Sequence, residues 1–396
     1  MAWAVTEKKH LGENIMKKLF AILLSVILVA AITACAAEPA PAPDTAPPAE
    51  PAPAEGLTFE TVRLAFIHVG DTADQGYTYR QHRGTTDMQA ALGVSDAQVL
   101  NFWNIPPGDQ VDTSILEAIE WGADMIFATS FGHGPHLHEA AQVHPDVQFF
   151  HATGNLAAGS GLANFHNYFG NMSQARFLSG IAAGLKTQSN VLGFVAAHPN
   201  AEVITGLTAF FMGAQYVNPD VTMYVMFMNA WNNPTLEGQI AQALIDRGAD
   251  VLGQHADSPT TQLVAEQNGV WAVGYNNDMI PMAPNATLLS PMFDWSYYLI
   301  QAVEAVVAGR DMQPDFLAGL AEGMVFLSDL NEALVAPGTA EAIAEAEARI
   351  LGGWNVFTGP IYDNDGNQLL ADGEEFIEPL SAPSWTHIIR GITVIE

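Results

Sequence analysis

From residue 57 onward the chain alternates short β-branched or aromatic runs with amphipathic stretches of helical period. Val62–His68, Ala97–Trp103, Asp124–Thr129 and Val147–His151 read as strands. Between them Tyr79–Leu92, Thr113–Trp121 and Pro135–Val143 read as helices. The second half repeats the plan. Met172–Leu185, Ala201–Tyr216 and Leu236–Arg247 read as helices, and Val191–Ala196, Val221–Met228 and Val251–Gln254 as strands. This alternation commits the chain to parallel sheets with helices on their faces. Two turns carry the repeat. Glu120-Trp-Gly-Ala-Asp-Met-Ile126 and Asp246-Arg-Gly-Ala-Asp-Val-Leu252 each close a helix at glycine, the residue suited to the left-handed position past a helix end, and then enter a strand. Two similar α/β lobes are predicted. Such lobes bind small molecules between them, at the carboxyl ends of their strands. The loops Gly70–Tyr79, Ser130–His133, Ala197–Asn200, Asn229–Pro234, His255–Pro259 and Gly274–Asp278 are therefore where a site is expected.

Upstream of this body the sequence reads as an address. Met16-Lys-Lys18 precedes the apolar run Leu19–Ile32, which is shorter than the roughly 20 residues of a membrane-spanning helix and ends on Thr33-Ala34-Cys35. Residues 1–34 are expected to be an export signal, with 1–15 a mis-assigned start. Cys35 is expected to be the lipidated first residue of the mature chain and its anchor to the membrane. Residues 35–56 continue as an Ala-, Pro- and Glu-rich tether that cannot build a core. Cys35 is the chain's single cysteine, so disulfides and cysteine zinc sites are excluded. The formal charge of -30, from 13 basic against 43 acidic residues, speaks against nucleic acid as a partner.

Several segments in order resemble the basic membrane protein (BMP) family of solute-binding lipoproteins. They are Asp74-Gln-Gly-Tyr-Thr-Tyr79, Ala128-Thr-Ser-Phe-Gly132, Tyr168-Phe-Gly170, Gln174-Ala-Arg-Phe-Leu-Ser-Gly180, Trp231-Asn-Asn-Pro234, Gln254-His-Ala-Asp-Ser-Pro259 and Gly274-Tyr-Asn-Asn-Asp278. The resemblance implies a type I periplasmic-binding-protein fold, an ABC permease as partner, and a purine base or nucleoside as ligand. It also implies a nucleobase held between aromatic rings, with carboxylates and amides reading its edge. Carried over by position, Tyr77 takes the first aromatic place and Trp231 the opposing one. Asp74, Asp257 and Asp278 are the carboxylate candidates, and Gly76, Ser130, Phe131 and Gly132 complete the expected ligand-binding set.

The residues themselves fit that chemistry. A flat heterocycle gains from offset stacking, and a carboxylate accepting its N–H groups supplies direction. The competing reading of Tyr77 and Trp231 is ordinary packing, and that of the three aspartates is helix capping or turn formation. Asn233 and Asn276 stand where related sequences tend to have carboxylates. Past the signal the only lysine is Lys186, so the lysine that holds ribose in nucleoside-binding relatives has no counterpart, and a free purine such as adenine is expected over a nucleoside. A sugar or other small polar solute is the alternative on the same fold. A metal-binding receptor built on His133, His136 and His138 is a weaker one, since the i, i+2 spacing of the last two does not share a helical face. With no hydrolase elbow, phosphate loop or zinc-protease motif, the expectation is binding without catalysis, no cofactor and no metal.

The first lobe is expected to comprise residues 57–165 plus about 291–324, and the second 166–290 plus about 325–396. Hinge strands are expected near Asn164–Tyr168, Leu289–Phe293 and Gly323–Leu327, with the helix Trp295–Ala308 returning to the first lobe. A monomer that closes on its ligand about these hinges is the expected working unit.

Overall fold

The computed structural model describes residues 56–396, so the expected signal, Cys35 and tether lie outside the described residues. The first half runs β1 (Leu64–Ile67), α1 (Tyr77–Leu92), β2 (Val99–Phe102), α2 (Asp109–Trp121), β3 (Met125–Ala128), α3 (Gly134–Val143), β4 (Gln148–Ala152), α4 (Ala157–Ser160) and β5 (Phe165–Gly170). The second runs α5 (Met172–Lys186), β6 (Val191–Ala196), α6 (Ala201–Val217), β7 (Thr222–Phe227), α7 (Pro234–Asp246), β8 (Val251–His255), α8 (Thr260–Asn268) and β9 (Trp271–Ala272). Then come β10 (Pro291–Phe293), α9 (Trp295–Val307), β11 (Asp315–Ala318), β12 (Val325–Leu327), α10 (Thr339–Leu351), β13 (Ile361–Tyr362), β14 (Gln368–Leu370) and β15 (Ile392–Val394).

Two all-parallel sheets result. One has the order β11-β5-β4-β3-β1-β2 and the other β15-β7-β6-β8-β9. In each, the first strand of the unit sits inside the sheet, flanked by the second on one side and the third on the other. The order of connection therefore reverses beside β1 and again beside β6, which opens a crevice at the carboxyl ends of those strands.

Alternation along β1 divides the first core. Leu64 and Phe66 pack with Phe127, Phe150, Tyr168 and Trp295 on one face, while Ala65 and Ile67 join Ile126, Ala128 and Phe149 on the other. The Gly-Ala-Asp turns do the same work in both halves. Gly122 and Gly248 take φ of 91° and 95°. The aspartate that follows each pins the entry to the central strand: Asp124 Oδ2 accepts from Arg63 N at 2.8 Å, and Asp250 Oδ2 accepts from Gln188 N at 2.7 Å and Ser189 N at 2.9 Å.

The crossing expected at Asn164–Tyr168 falls later. Phe165–Gly170 is a full strand of the first sheet, paired with β4 and β11, and the chain leaves it at Asn171 to enter α5. β10 and β12 form an antiparallel pair, with Phe293 opposite Val325. The next helix, α9, packs on α1, where a Cβ on Gly84 would lie 2.6 Å from the Trp295 Cβ. The tail adds α10, a short hairpin of β13 with β14, and β15 alongside β7.

α5 and α6 meet through reciprocal glycines. A Cβ on Gly180 would lie 1.9 Å from the Phe210 carbonyl oxygen, and one on Gly213 would lie 1.9 Å from that of Phe177. In an exposed helix, glycine to alanine stabilises by about 1 kcal/mol. Here the sign reverses, because the added methyl meets backbone. Gly213→Ala is expected to lower the unfolding free energy by about 1–3 kcal/mol in a urea titration; a gain in stability would contradict this packing.

Candidate functional site

The carboxyl ends of both sheets converge on a cavity with about 330 Å³ of atom-free space. That lies at the small end of the roughly 300–1,000 Å³ of small-molecule sites. The first sheet contributes Val69 and Tyr77 after β1, Thr129, Ser130 and Phe131 after β3, and Thr153 after β4. The second contributes Glu202 at the start of α6, Trp231 after β7, His255 and Asp257 at the end of β8, and Tyr275 and Asn276 after β9.

The two halves touch across this cavity. A Cβ on Gly76 would sit 2.4 Å from the Asp257 carbonyl oxygen, so only glycine allows the approach. Beside it, Asn277 Nδ2 donates to the Gln75 carbonyl at 3.1 Å. Tyr77 is fixed by donating its hydroxyl to the Thr129 carbonyl and accepting from Gln81 Nε2 at 3.0 Å. On the other side His255 bridges the aromatic wall, with its ring 4.6 Å from that of Tyr275 and 6.0 Å from that of Trp231.

Of the residues expected from sequence, Tyr77, Ser130, Phe131, Trp231 and Asp257 line the cavity. Gly76 makes the close approach just described. Gly132 lies against Pro107, with no room for a Cβ. Asp74 stands apart from the lining and caps α1, accepting from Gly76 N, Thr78 N and Tyr79 N at 3.0, 2.7 and 3.0 Å. Asp278 shapes a turn by accepting from Ile280 N at 3.0 Å. Capping and turn formation account for both. The histidines expected as a possible metal cluster part ways. His133 Nε2 bonds the Ile105 carbonyl at 2.9 Å, His136 Nδ1 meets Asp112 at 2.8 Å, and His138 packs on Phe165. Among the described residues no group of three or more His, Cys, Asp or Glu side chains is placed to hold a metal ion.

Sequence reading missed Val69, Thr153 and Glu202 as lining residues, and reached His255, Tyr275 and Asn276 only as members of the loops where a site was expected. Thr153 and Asn276 share a trait that no motif shows, a left-handed backbone with φ of 63° and 65°. For a β-branched threonine this is a strained conformation, of a kind concentrated at functional sites. Both line the cavity and carry buried polar atoms without a partner among the described residues: Thr153 Oγ1, and Asn276 Oδ1 and Nδ2.

The charges are arranged with equal care. Asp257 is 6 % exposed, and its carboxyl is raised well above its ordinary value by burial first, then by Asp74, Glu202 and Glu237. Arg176 is fully buried but pairs with no carboxylate among the described residues. Its Cζ lies 3.5 Å from the centroid of the Tyr275 ring and its Nη1 donates to the Gln254 carbonyl at 2.7 Å. Burial lowers it to about 10. Glu237, 0 % exposed, holds the next stretch of the loop: Ser258 Oγ donates to it at 2.5 Å, and Thr261 donates through N and Oγ1 at 2.9 Å each.

Residues 61–356 match the Bmp family, described as PnrA-like ABC transporter substrate-binding proteins. This chain belongs to that family. It is 33% identical over 318 residues to a purine-binding protein of Brucella abortus, covering 80% of this chain and 89% of the relative. It is 30% identical over 320 residues to a putative ABC transporter glucose-binding protein of Haloferax volcanii, covering 80% and 79%. Solved ABC solute-binding proteins from Aeropyrum pernix and Conexibacter woesei share the type I periplasmic-binding fold. Their TM-scores are 0.63 and 0.60, each at 18% identity, covering 74% of this chain and 92% and 97% of theirs. As a Bmp-family protein the chain is a solute receptor that works with a membrane permease outside the cytoplasm.

Glu237 yields a test of the site's electrostatics. Burial raises its carboxyl from 4.5 to about 7, against the three bonds that favour the ionised form. Below pH 4.5 it is protonated both folded and unfolded, and that contribution to stability is lost as pH rises through 7, where only the folded chain still holds the proton. Stability of the natural chain should therefore fall relative to Glu237→Gln between pH 4.5 and 8, by up to about 3 kcal/mol. Parallel denaturation profiles for the two proteins would contradict the assignment.

Proposed function

We propose that the chain captures a free purine, adenine foremost, and delivers it to the permease of an ABC importer. The observation that carries this reading is the side chain of Asn276, buried in the cavity with both its donor and its acceptor unmatched by protein. An amide offers the alternating pair that a purine edge requires, as in the bidentate pairing of Asn with adenine N6 and N7. Asp257 supplies a second polar contact. Tyr77, Phe131, Trp231 and Tyr275 supply flat walls, each aromatic contact adding about 0.5–1.5 kcal/mol beyond burial. The Brucella relative is named for purine binding, and the small cavity and the want of a ribose-holding lysine favour a base over a nucleoside.

On this reading the Gly76–Asp257 and Asn277–Gln75 contacts form as residues 57–170 with about 291–324 close on residues 171–290 with about 325–396, turning about the crossings at Asn171, β10 and β12. Lipidated Cys35 and the tether of residues 36–56 hold a monomeric receptor beside its permease. The name of the Haloferax relative supports glucose as a second reading, since sugars also lie against aromatic rings.

A thermal-shift comparison separates the two. Adenine at about 100 times its Kd is expected to stabilise the protein by about 2.7 kcal/mol, with adenosine and glucose giving little. Trp231→Ala and Asn276→Ala are each expected to weaken adenine binding by about tenfold or more. Stabilisation by glucose alone would replace the purine reading with the sugar one.

A further inference from the structure

Asp257 has an unusual set of neighbours for a carboxylate inside a binding cavity. Its backbone is immobilised, with N donating to the Trp231 carbonyl at 3.0 Å and O against Gly76. No protein N–H or O–H reaches its carboxylate among the described residues. The acidic groups around it come from separate elements. Asp74 lies in the loop after β1, Glu202 begins α6, and Glu237 on α7 grips the adjacent Ser258. Tyr77 and Tyr275 face it as phenols, His255 is a neutral imidazole turned to Glu202 at 3.5 Å, and Arg176 is engaged with Tyr275 and Gln254. A buried anion here would lack both a cation and a donor, an arrangement that proteins avoid by keeping the group neutral.

We infer that Asp257 reads its ligand as a neutral carboxylic acid, offering one O–H donor and one C=O acceptor, and so selects purine edges that pair one acceptor with one donor. The inference rests on the purine reading above and specifies which purines fit. Adenine presents N1 or N7 as acceptor beside the N6 amino donor, and hypoxanthine presents O6 beside N1–H; both match the acid. Guanine presents both patterns: O6 beside N1–H, which matches the acid as hypoxanthine does, and N1–H beside the N2 amino group, two donors that match an ionised carboxylate. The direction in which burial and the three neighbouring acids push Asp257 agrees with this.

The consequence is a site whose choice of purine turns with pH. While Asp257 holds its proton adenine, hypoxanthine and guanine all find a matching edge; once it is lost adenine binding falls by about tenfold per pH unit, whereas guanine keeps its two-donor edge on the carboxylate. Asparagine reproduces the donor and acceptor of the acid permanently, so Asp257→Asn mimics the binding form.

Calorimetric titration of the purified chain with adenine and with guanine from pH 5.5 to 9 tests this, using the natural protein and Asp257→Asn. The expected result is adenine affinity in the variant within about threefold of the natural protein at pH 6, with the alkaline decline abolished. A loss above tenfold at every pH in a variant that keeps its near-ultraviolet circular dichroism would overturn the inference and leave the purine reading standing. Should the variant not fold, the natural protein decides: an alkaline decline for adenine with guanine binding retained supports the acid form, and an adenine profile that stays flat or rises with pH rejects it. Failure of every purine to bind removes the purine reading and this inference together.

Discussion

Parallel strand order is the constraint from which the rest of this protein follows. A parallel strand cannot be reached by a tight turn, so every connection is a crossover helix, and every strand of a sheet ends on the same side. Placing β1 and β6 inside their sheets sends successive crossovers to opposite directions and leaves a gap at the carboxyl ends. Asp124 and Asp250 secure that placement, each tying the start of the central strand to the turn that enters its neighbour. With the strand ends fixed, the loops that follow have one place to go, and the cavity is lined almost wholly by them.

Within the cavity, burial governs the chemistry. The protein as a whole is strongly acidic, yet inside the site the decisive groups are polar atoms cut off from water and from one another. Thr153 and Asn276 hold strained or uncommon backbone conformations and carry buried polar atoms unmatched among the described residues. Arg176 is held against the face of Tyr275 as a stacked cation. Buried polar groups of this kind are costly unless something meets them, and a ligand carrying complementary donors and acceptors between flat rings is what would meet them.

The periodicity of the sequence was enough to read β1–β4, β6–β8 and the longer helices between them, because each alternates apolar residues with the period of its own element; β5 was read as a hinge crossing, and the short β9 and β11 left no pattern to read. Tyr77, Trp231 and Asp257 were legible as cavity-lining residues because they sit in strand-end loops, where clefts form on this fold. Asp74 was legible as a carboxylate in the right loop, but its role was not: whether an aspartate caps the helix behind it or faces the cavity depends on a rotamer, and three backbone N–H groups decide it. Glu202 and Thr153 lack a local signature, since the first merely begins a helix and the second owes its role to a backbone angle. Asn276 was visible as an amide replacing a carboxylate. Its importance emerged only when both of its polar atoms were found buried without partners. The pairing of the tail's last strand was not legible, because β15 joins β7 across a long separation in sequence.

The central claim is that a purine lies in this cavity with its edge on Asp257 and Asn276. A crystal structure of the protein grown with adenine tests it most directly. The account predicts a planar ring among Tyr77, Phe131, Trp231 and Tyr275, with hydrogen bonds of about 2.7–3.2 Å to the Asn276 amide and the Asp257 carboxyl. A ligand bound elsewhere, or a ring in the cavity that leaves both side chains without partners, would contradict it.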